Sequence, residues 1–194
     1  DGTDTDPLWH EIDRGDVAAI FPVLHGRWGE GGPLQTVLEV TGVPYVGSGP
    51  RASALAMDKA QTKSLVVSHG VPTPRATIIE PSGACTLEPP LVLKPVDDGS
   101  SVDLRICHSA QEIDAARAEL HPRRGRLLAE RYVAGRELTV GIVEGEVLPI
   151  IEIIPAVAFY DYEAKYTRED TRYLFEPELP AGLASTLRAH ALLA

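Results

Sequence analysis

The feature that most constrains the fold is the stretch of residues 91–102, in which a short apolar run ends on a lysine. Residues 91–93 are apolar and predict a buried β-strand, which ends at Lys94 and Pro95. Residues 97–101, Asp-Asp-Gly-Ser-Ser, are turn-forming. A lysine beside a loop of small residues offers a phosphate group one positive charge and several backbone N–H groups. An ordinary exit from a sheet has the same pattern, and no G-x-x-x-x-G-K-[ST] sequence occurs, so both interpretations stay open here.

Composition narrows the class of protein. A chain of 194 residues that is 44% hydrophobic and 24% charged predicts one large folded domain or two small ones. A formal net charge of -10 argues against a nucleic-acid partner, because neutralising phosphates needs clustered Lys and Arg. The basic residues at 123–126 are interpreted as a solvated loop. Cys85 and Cys107 are too few to indicate a disulfide framework or a metal site. Without a long apolar run or a visible signal peptide, a cytoplasmic location is expected.

The first half of the chain predicts alternating strands and helices. A strand at residues 17–21, a helix at residues 34–41 and a short strand at residues 44–46 predict parallel pairing. A second helix is predicted at residues 53–69. Within it Lys59 and Lys63 are four residues apart on one face, and spacing alone favours a solvated face.

The second half predicts a different arrangement of strands. Short strands are expected at residues 77–79, 91–93, 104–107 and 127–130, with a capped helix at residues 109–120, an antiparallel pair at residues 135–142 and 147–152, and a last helix at residues 181–194. Residues 158–166 form an aromatic-rich polar run, which is more typical of a binding loop than of a core segment. The predicted fold class is therefore α/β and α+β.

Several blocks of sequence, in order, resemble the D-alanine:D-alanine ligases of the ATP-grasp superfamily. The resemblance runs from about residue 21 to residue 177. The blocks are Leu-His-Gly at 24–26 with Gly-Glu at 29–30, Pro-Tyr-Val-Gly-Ser-Gly at 44–49, Ser53 through Met-Asp-Lys at 57–59 to Lys63, Lys-Pro at 94–95 with Gly-Ser-Ser-Val at 99–102, Glu130 with Gly-Arg-Glu-Leu-Thr-Val at 135–140, and Phe-Tyr-Asp-Tyr-Glu-Ala-Lys-Tyr at 159–166.

This resemblance implies an ATP-dependent ligase. ATP would phosphorylate the carboxylate of a first D-alanine, and the amine of a second would attack the acyl phosphate to give D-alanyl-D-alanine for peptidoglycan synthesis. The implied ATP-grasp fold comprises the end of an N-terminal substrate-binding α/β domain (residues 1–50), a central lid domain (51–133) and the start of a C-terminal domain (134–194). A homodimer without membrane or nucleic-acid partners is expected. The alternatives are another ATP-grasp carboxylate–amine ligase and a nucleotide-binding module without catalysis.

The resemblance also implies a set of site residues. Those expected to bind ATP are Lys59, Lys94, Gly99, Ser100, Ser101, Val102, Glu130, Arg131, Tyr132, Val133, Glu137 and Lys165. The lysines and the loop would hold the phosphates. Glu130 and the three residues after it would bind the adenine, and Glu137 would bind the ribose. Catalytic roles are implied for Ser100, Lys165 and Tyr166, and first-substrate contacts for His25 and Glu30. Without the resemblance, each is better interpreted as an ordinary surface or turn residue.

The chain departs from the family pattern at three places. Gly31 stands where the family usually has Asp, and Asp103 stands where it usually has Gly. A carboxylate near phosphates would repel them, so Asp103 is expected to alter the loop. The family's Mg²⁺ site uses an Asp and then Glu-x-Asn, and this sequence has no asparagine. The Mg²⁺ ligands are therefore expected outside these residues, and residues 1–194 alone are expected to lack turnover.

Overall fold

The computed structural model describes residues 6–13, 15–155 and 170–194. Its helices are α1 (Asp6–Asp13), α2 (Gly26–Glu30), α3 (Pro33–Thr41), α4 (Pro50–Met57), α5 (Lys59–Ser68), α6 (Ala110–Arg124) and α7 (Leu183–Leu193). Its strands are β1 (Ala76–Ile79), β2 (Leu91–Pro95), β3 (Arg105–Cys107), β4 (Leu127–Arg131), β5 (Glu137–Val143), β6 (Glu146–Ile154) and β7 (Arg172–Phe175). Among the residues so described, no helix is long and apolar enough to cross a membrane.

The central sheet has the order β1-β4-β2-β3 and is antiparallel throughout. Along β2, Leu91, Leu93 and Pro95 are buried while Val92 and Lys94 are partly exposed, the alternation expected of a strand with one face in the core. Helix α6 covers the apolar face, where Ile113 and Leu120 pack against the sheet. The predicted strands and the Ser109 helix cap are confirmed, although the helix continues beyond residue 120 to Arg124. The opposite face of the sheet carries Lys94 and Glu130.

The first predicted strand pair is reduced to a single bridge. Ile20 and Tyr45 form one parallel bridge, with hydrogen bonds from Ile20 N to Pro44 O (2.8 Å) and from Val46 N to Ile20 O (2.9 Å). The parallel pairing is confirmed, but the prediction of a full strand at residues 17–21 is wrong. Pro22 and Pro44 flank the bridge and lack the N–H groups that would extend the ladder.

The predicted single helix at residues 53–69 is wrong, because the chain breaks at Asp58. Asp58 has φ -78° and ψ 99°, and its carboxylate accepts hydrogen bonds from the backbone N–H groups of Ala60 and Gln61, both 3.0 Å. Asp58 is therefore the N-cap of α5, a position that aspartate strongly prefers. The N–H group of Lys59 donates to Val96 O (3.0 Å), which places the start of α5 beside the end of β2.

A second sheet, with the order β5-β6-β7, follows the central one. The turn between β5 and β6 contains Glu144 (φ 51°) and Gly145 (φ 82°), so the predicted antiparallel pair is confirmed. The last predicted helix is also confirmed as α7, which packs on β5 and β6. The aromatic-rich run at residues 158–166 lies outside the described residues.

Candidate nucleotide-binding site

A carboxylate held between two lysines lies on the face of the central sheet opposite α6. Glu130 accepts a hydrogen bond from Lys63 Nζ at one oxygen and from Lys94 Nζ at the other, the second at 2.6 Å. The side chains of Glu130, Lys63 and Lys94 are only 14%, 16% and 21% exposed. Burial opposes ionisation of Glu130, but the hydrogen bonds and charges of the two lysines outweigh it and lower the pKa of this carboxyl group.

The strand register explains why these side chains meet. In the antiparallel pairing of β2 with β4, Val92 lies opposite Glu130 and Lys94 lies opposite Leu128. Paired residues share a face, so Lys94 and Glu130 are diagonal neighbours within reach of long side chains. Lys63 enters from α5 and also donates to Thr73 Oγ1 (2.5 Å).

Lys63 was missed as a site residue, and the solvated-face interpretation of Lys59 and Lys63 is wrong. Both side chains turn inward, Lys63 to Glu130 and Lys59 to backbone carbonyl groups. Their spacing of four residues was visible in the sequence, but a helical face does not tell whether water or a carboxylate lies opposite it. The Asp58 cap fixes which face of α5 turns toward the sheet.

Lys59 lies at the base of the loop that follows β2. Its Nζ donates to the carbonyl oxygen of Asp98 and, at 3.5 Å, to that of Val96. Burial and the nearby charge of Lys94 lower the pKa of Lys59, although Asp98 and Asp97 partly offset this. An anionic ligand beside Lys59 would favour its charged form and offset these effects.

The loop of residues 97–103, called here the 97–103 loop, has an unusual backbone. Ser100, Ser101 and Asp103 have φ values of 53°, 58° and 57°, the left-handed region that non-glycine residues rarely adopt. Gly99 N donates to Asp98 Oδ1 (2.8 Å), and Val102 N donates to Gly99 O (3.1 Å). Positive φ at Asp103 gives a physical reason for the family's preference for glycine there.

Asp103 is paired with arginines, and the basic residues 123–126 are not a solvated loop as predicted. Arg123 Nη1 donates to both carboxylate oxygens of Asp103 at 2.9 Å, and Arg124 Nε donates to Oδ2 at 2.5 Å. Arg126 lies 3.3 Å from Glu80. Burial opposes ionisation of Asp103, but these arginine hydrogen bonds lower the pKa of its carboxyl group. Two guanidinium groups therefore compensate the negative charge of Asp103.

His25 and Glu30 line a cavity of about 360 Å³ beside the 97–103 loop. Glu30 Oε2 accepts from Gly26 N (2.8 Å), and His25 Nδ1 lies 3.7 Å from Glu30 Oε1. A Cβ atom on Gly99 would lie 3.0 Å from Glu30 Oε2, so the carboxylate lies close to the backbone of the loop. Arg27 reaches the same loop, with Nη1 3.4 Å from Asp97 Oδ2.

The glycines of this segment are required by close backbone approach. A Cβ atom on Gly29 would lie 2.5 Å from the Cβ of Leu24, and one on Gly31 would lie 2.4 Å from Arg27 O. The side chain that the family usually has at the second position would not fit this conformation.

The remaining predicted residues lie apart from the lysine–glutamate cluster or outside the described residues. Arg131 and Val133 are exposed, and the Tyr132 ring contacts His108 edge-on at a centroid distance of 6.3 Å. Glu137 is exposed at the start of β5. Lys165 and Tyr166 lie outside the described residues, so the predictions for them stay predictions.

Across the described ranges, with their gaps at residues 14 and 156–169, no group of three His, Cys, Asp or Glu side chains is placed to hold a metal ion. The acidic residues around the loop are already engaged. Asp98 pairs with Arg124 and Asp103 with Arg123 and Arg124.

Comparison with known proteins gives one family over almost the whole chain. Residues 3–48 match the family described as D-ala D-ala ligase N-terminus, and residues 75–194 match that described as D-ala D-ala ligase C-terminus. The D-alanine–D-alanine ligase of Syntrophotalea carbinolica is 40% identical over 188 residues, covering 95% of this chain and 62% of the relative. That of Chromohalobacter salexigens is 45% identical over 169 residues, covering 84% and 52%. The chain thus spans between about half and two thirds of these relatives.

Solved structures agree with the sequence relatives. A D-alanine–D-alanine ligase from Bacillus anthracis superposes with a TM-score of 0.78 at 30% identity, over 98% of this chain and 63% of the other. The same enzyme complexed with ATP gives 0.78 at 27% identity, over 98% and 62%. VanG D-Ala:D-Ser ligase from Enterococcus faecalis gives 0.73 at 30% identity, over 91% and 55%. These comparisons also confirm the predicted fold class. The chain has an ATP-grasp fold and belongs to the D-alanine–D-alanine ligase family.

Proposed function

We propose that the protein carrying this chain is an ATP-dependent D-alanine–D-alanine ligase. The γ-phosphoryl group of ATP passes to a carboxylate oxygen of the first D-alanine, leaving ADP. The amine of the second D-alanine then attacks the acyl carbon, and phosphate leaves as the amide bond forms. Such a reaction needs cations at the phosphates and a substrate carboxylate, the nucleophile, held beside them.

One observation supports this function above the others, the contact of the His25–Glu30 cavity with the 97–103 loop. Glu30 lies against Gly99, and Arg27 lies against Asp97. A small amino acid in the cavity would therefore lie next to the loop that is expected to hold the phosphates. His25 and Glu30 would orient the first substrate, Glu30 by accepting from its ammonium group.

The lysines and Glu130 would bind the nucleotide. Lys59 and Lys94 supply charge for the phosphates, and a bound anion would offset the burial and the Lys94 charge that lower the pKa of Lys59. A carboxylate has about four acceptor positions, so Glu130 can hold both lysines and still accept from the adenine amino group. Arg131, Tyr132 and Val133 would line the adenine slot, and Glu137 would accept from the ribose.

The other parts of the proposal follow the family. The domain limits are residues 1–50, 51–133 and 134–194, with ATP between the last two. Ser100 in the 97–103 loop, with Lys165 and Tyr166, would complete the site over the transferred phosphoryl group. Mg²⁺ would neutralise phosphate charge at ligands other than the described residues. A cytoplasmic homodimer serving peptidoglycan synthesis remains part of the proposal.

The test is ATP-dependent dipeptide synthesis by the full-length protein that carries this chain. We expect phosphate release to require both ATP and D-alanine, with D-alanyl-D-alanine identified by mass spectrometry. Glu30→Gln should raise the KM for D-alanine far more than the KM for ATP. Glu146→Gln, an exposed carboxylate at the start of β6 and away from the proposed site, is the matched control. Phosphate release that does not depend on D-alanine would contradict the proposal.

The similarity to VanG D-Ala:D-Ser ligase makes the acceptor a second question. Tyr166 stands where family members that make D-lactate esters carry histidine. A phenol with an ordinary pKa of about 10 stays neutral near pH 7 and offers no charge to reject an ammonium acceptor. We therefore expect D-alanine to be preferred over D-lactate between about pH 6 and pH 8. Competition among D-alanine, D-serine and D-lactate tests this, and ester as the main product would overturn the role of Tyr166.

A further inference from the structure

Arg124, the last residue of α6, contacts both ends of the 97–103 loop with one guanidinium group. Its Nη1 lies 2.8 Å from Asp98 Oδ2, and its Nε lies 2.5 Å from Asp103 Oδ2. Asp98 and Asp103 flank the four residues 99–102, whose backbone is expected to meet the phosphates. One rigid side chain therefore links the entrance of the loop to its exit.

The two carboxylates are held firmly in these positions. The side chains of Asp98 and Asp103 are only 19% and 9% exposed. Asp98 Oδ1 accepts a hydrogen bond from Gly99 N at 2.8 Å. Both carboxylate oxygens of Asp103 also accept hydrogen bonds from Arg123 Nη1. Arg123 is in turn fixed to Glu119 Oε1 at 3.0 Å. The loop is thus joined to the C-terminal turn of α6 by a connected set of charge-assisted hydrogen bonds.

We propose that Arg124 is a positioning residue of the nucleotide site, which fixes both ends of the 97–103 loop and so sets the backbone conformation of the loop before ATP binds. This inference rests on the proposed function. Left-handed φ values at Ser100, Ser101 and Asp103 cost conformational energy and persist only where the surroundings enforce them. The hydrogen bonds from Arg124 and Arg123 provide that constraint. Asp103, at the family's glycine position, becomes a point of attachment.

A purely electrostatic role for these residues makes opposite predictions. If Asp103 acts only through its charge, then Asp103→Asn removes a repulsive carboxylate and tightens ATP binding. If Arg124 acts only through its positive charge, then Arg124→Lys leaves the affinity for ATP unchanged. Under the positioning role both substitutions weaken binding, because an amide loses the charge-assisted bonds and an ammonium group cannot bridge two carboxylates with planar geometry.

The experiment measures ATP affinity by calorimetry on the full-length protein with Mg²⁺ present. We expect Asp103→Asn and Arg124→Lys each to raise the Kd for ATP by at least about fivefold, since one charge-assisted hydrogen bond is worth on the order of tenfold in an equilibrium constant. Arg126→Lys is the matched control, because Arg126 is 50% exposed and pairs with Glu80 rather than with the loop. Its Kd for ATP should stay within about twofold of the unsubstituted protein.

Two further readouts separate positioning from general damage. The KM for D-alanine should change less than the KM for ATP, and protease cleavage within residues 97–103 should be faster in Arg124→Lys than in Arg126→Lys. Tighter ATP binding by Asp103→Asn, or an Arg124→Lys affinity equal to that of the control, would overturn the inference alone. If Arg124→Lys fails to fold, the direction of the Asp103→Asn change decides. An unsubstituted protein that binds no ATP would instead overturn the proposed function, and this inference with it.

Discussion

Replacing Glu130 by glutamine tests whether the lysine–glutamate cluster stabilises the central sheet. The substitution keeps the size of the side chain and removes its charge. Lys63 and Lys94 would then lie near each other without the carboxylate that both now contact. One amide carbonyl oxygen, which carries no charge, would remain to accept a hydrogen bond from a lysine.

The expected loss follows from the contacts and their burial. Two charge-assisted hydrogen bonds contribute about 1.5–3 kcal/mol each, and the amide oxygen recovers one weaker bond from a lysine of about 1 kcal/mol. All three side chains are about one fifth exposed or less, so solvent screening reduces these values only in part. The free energy of unfolding should therefore fall by about 3 kcal/mol, within the range for breaking a buried pair. At about 2–4 °C per kcal/mol for a chain of this size, Tm should fall by about 6–12 °C.

Thermal unfolding followed by circular dichroism provides the assay, with its pH dependence as the internal check. The folded-state pKa of Glu130 is lowered, so its contribution is complete above the ordinary glutamate pKa of about 4.3 and disappears as the pH falls through the lowered value. The Tm difference between Glu130→Gln and the unsubstituted protein should thus be full at neutral pH and shrink in acid. Glu119→Gln, which breaks exposed pairs with Arg105 and Arg123, is the control and should have a much smaller effect. Equal melting temperatures for the two variants at neutral pH would refute the reasoning.

Three further predictions concern α5 and the phosphate side of the site. Lys94→Ala should weaken ATP binding at least about tenfold, because a desolvated phosphate loses a charge-assisted contact; affinity unchanged within error would make Lys94 a structural residue. ATP binding should take up a proton at alkaline pH below the ordinary lysine pKa of about 10.4, because phosphate raises the lowered pKa of Lys59. Calorimetry in two buffers measures this uptake, which Lys59→Arg should abolish. Asp58→Ala should lower the free energy of unfolding, measured by urea denaturation, by about 1 kcal/mol through loss of the α5 cap. Asp58→Asn should lower it much less, because asparagine is also a good N-cap residue.

The sequence predicted the strands of the central sheet well because each has a strong local signal. Residues 91–93 are apolar throughout, and Ser109 with Glu112 is a capping pattern that the structure confirms. The break at Asp58 was missed, since Ser53 to His69 has helical composition throughout. Only the hydrogen bonds of the Asp58 carboxylate to Ala60 and Gln61 reveal that a second helix begins there.

The ion pairs of the site could not be predicted from the sequence, because their partners are distant along the chain. Lys63 meets Glu130 across 67 residues and Arg124 meets Asp103 across 21. A charged residue in isolation is best interpreted as solvated, and this interpretation failed wherever a partner lay on another element. Resemblance to the family named Glu130 and Lys94, but not Lys63, Arg123 or Arg124.

The alternation along β2 means that neighbouring positions of one strand should differ in what a substitution changes in the cell. Leu91 and Leu93 contact α6, so changes there should reduce the amount of folded protein. Lys94 contacts Glu130 on the other side of the sheet. Substitutions of Lys94 should therefore reduce cell growth more than they reduce the amount of folded protein. A saturation library read out for both abundance and growth should therefore show a period of two residues along the strand. Selection for stability and selection for ligand binding would then act on alternating positions of the same strand.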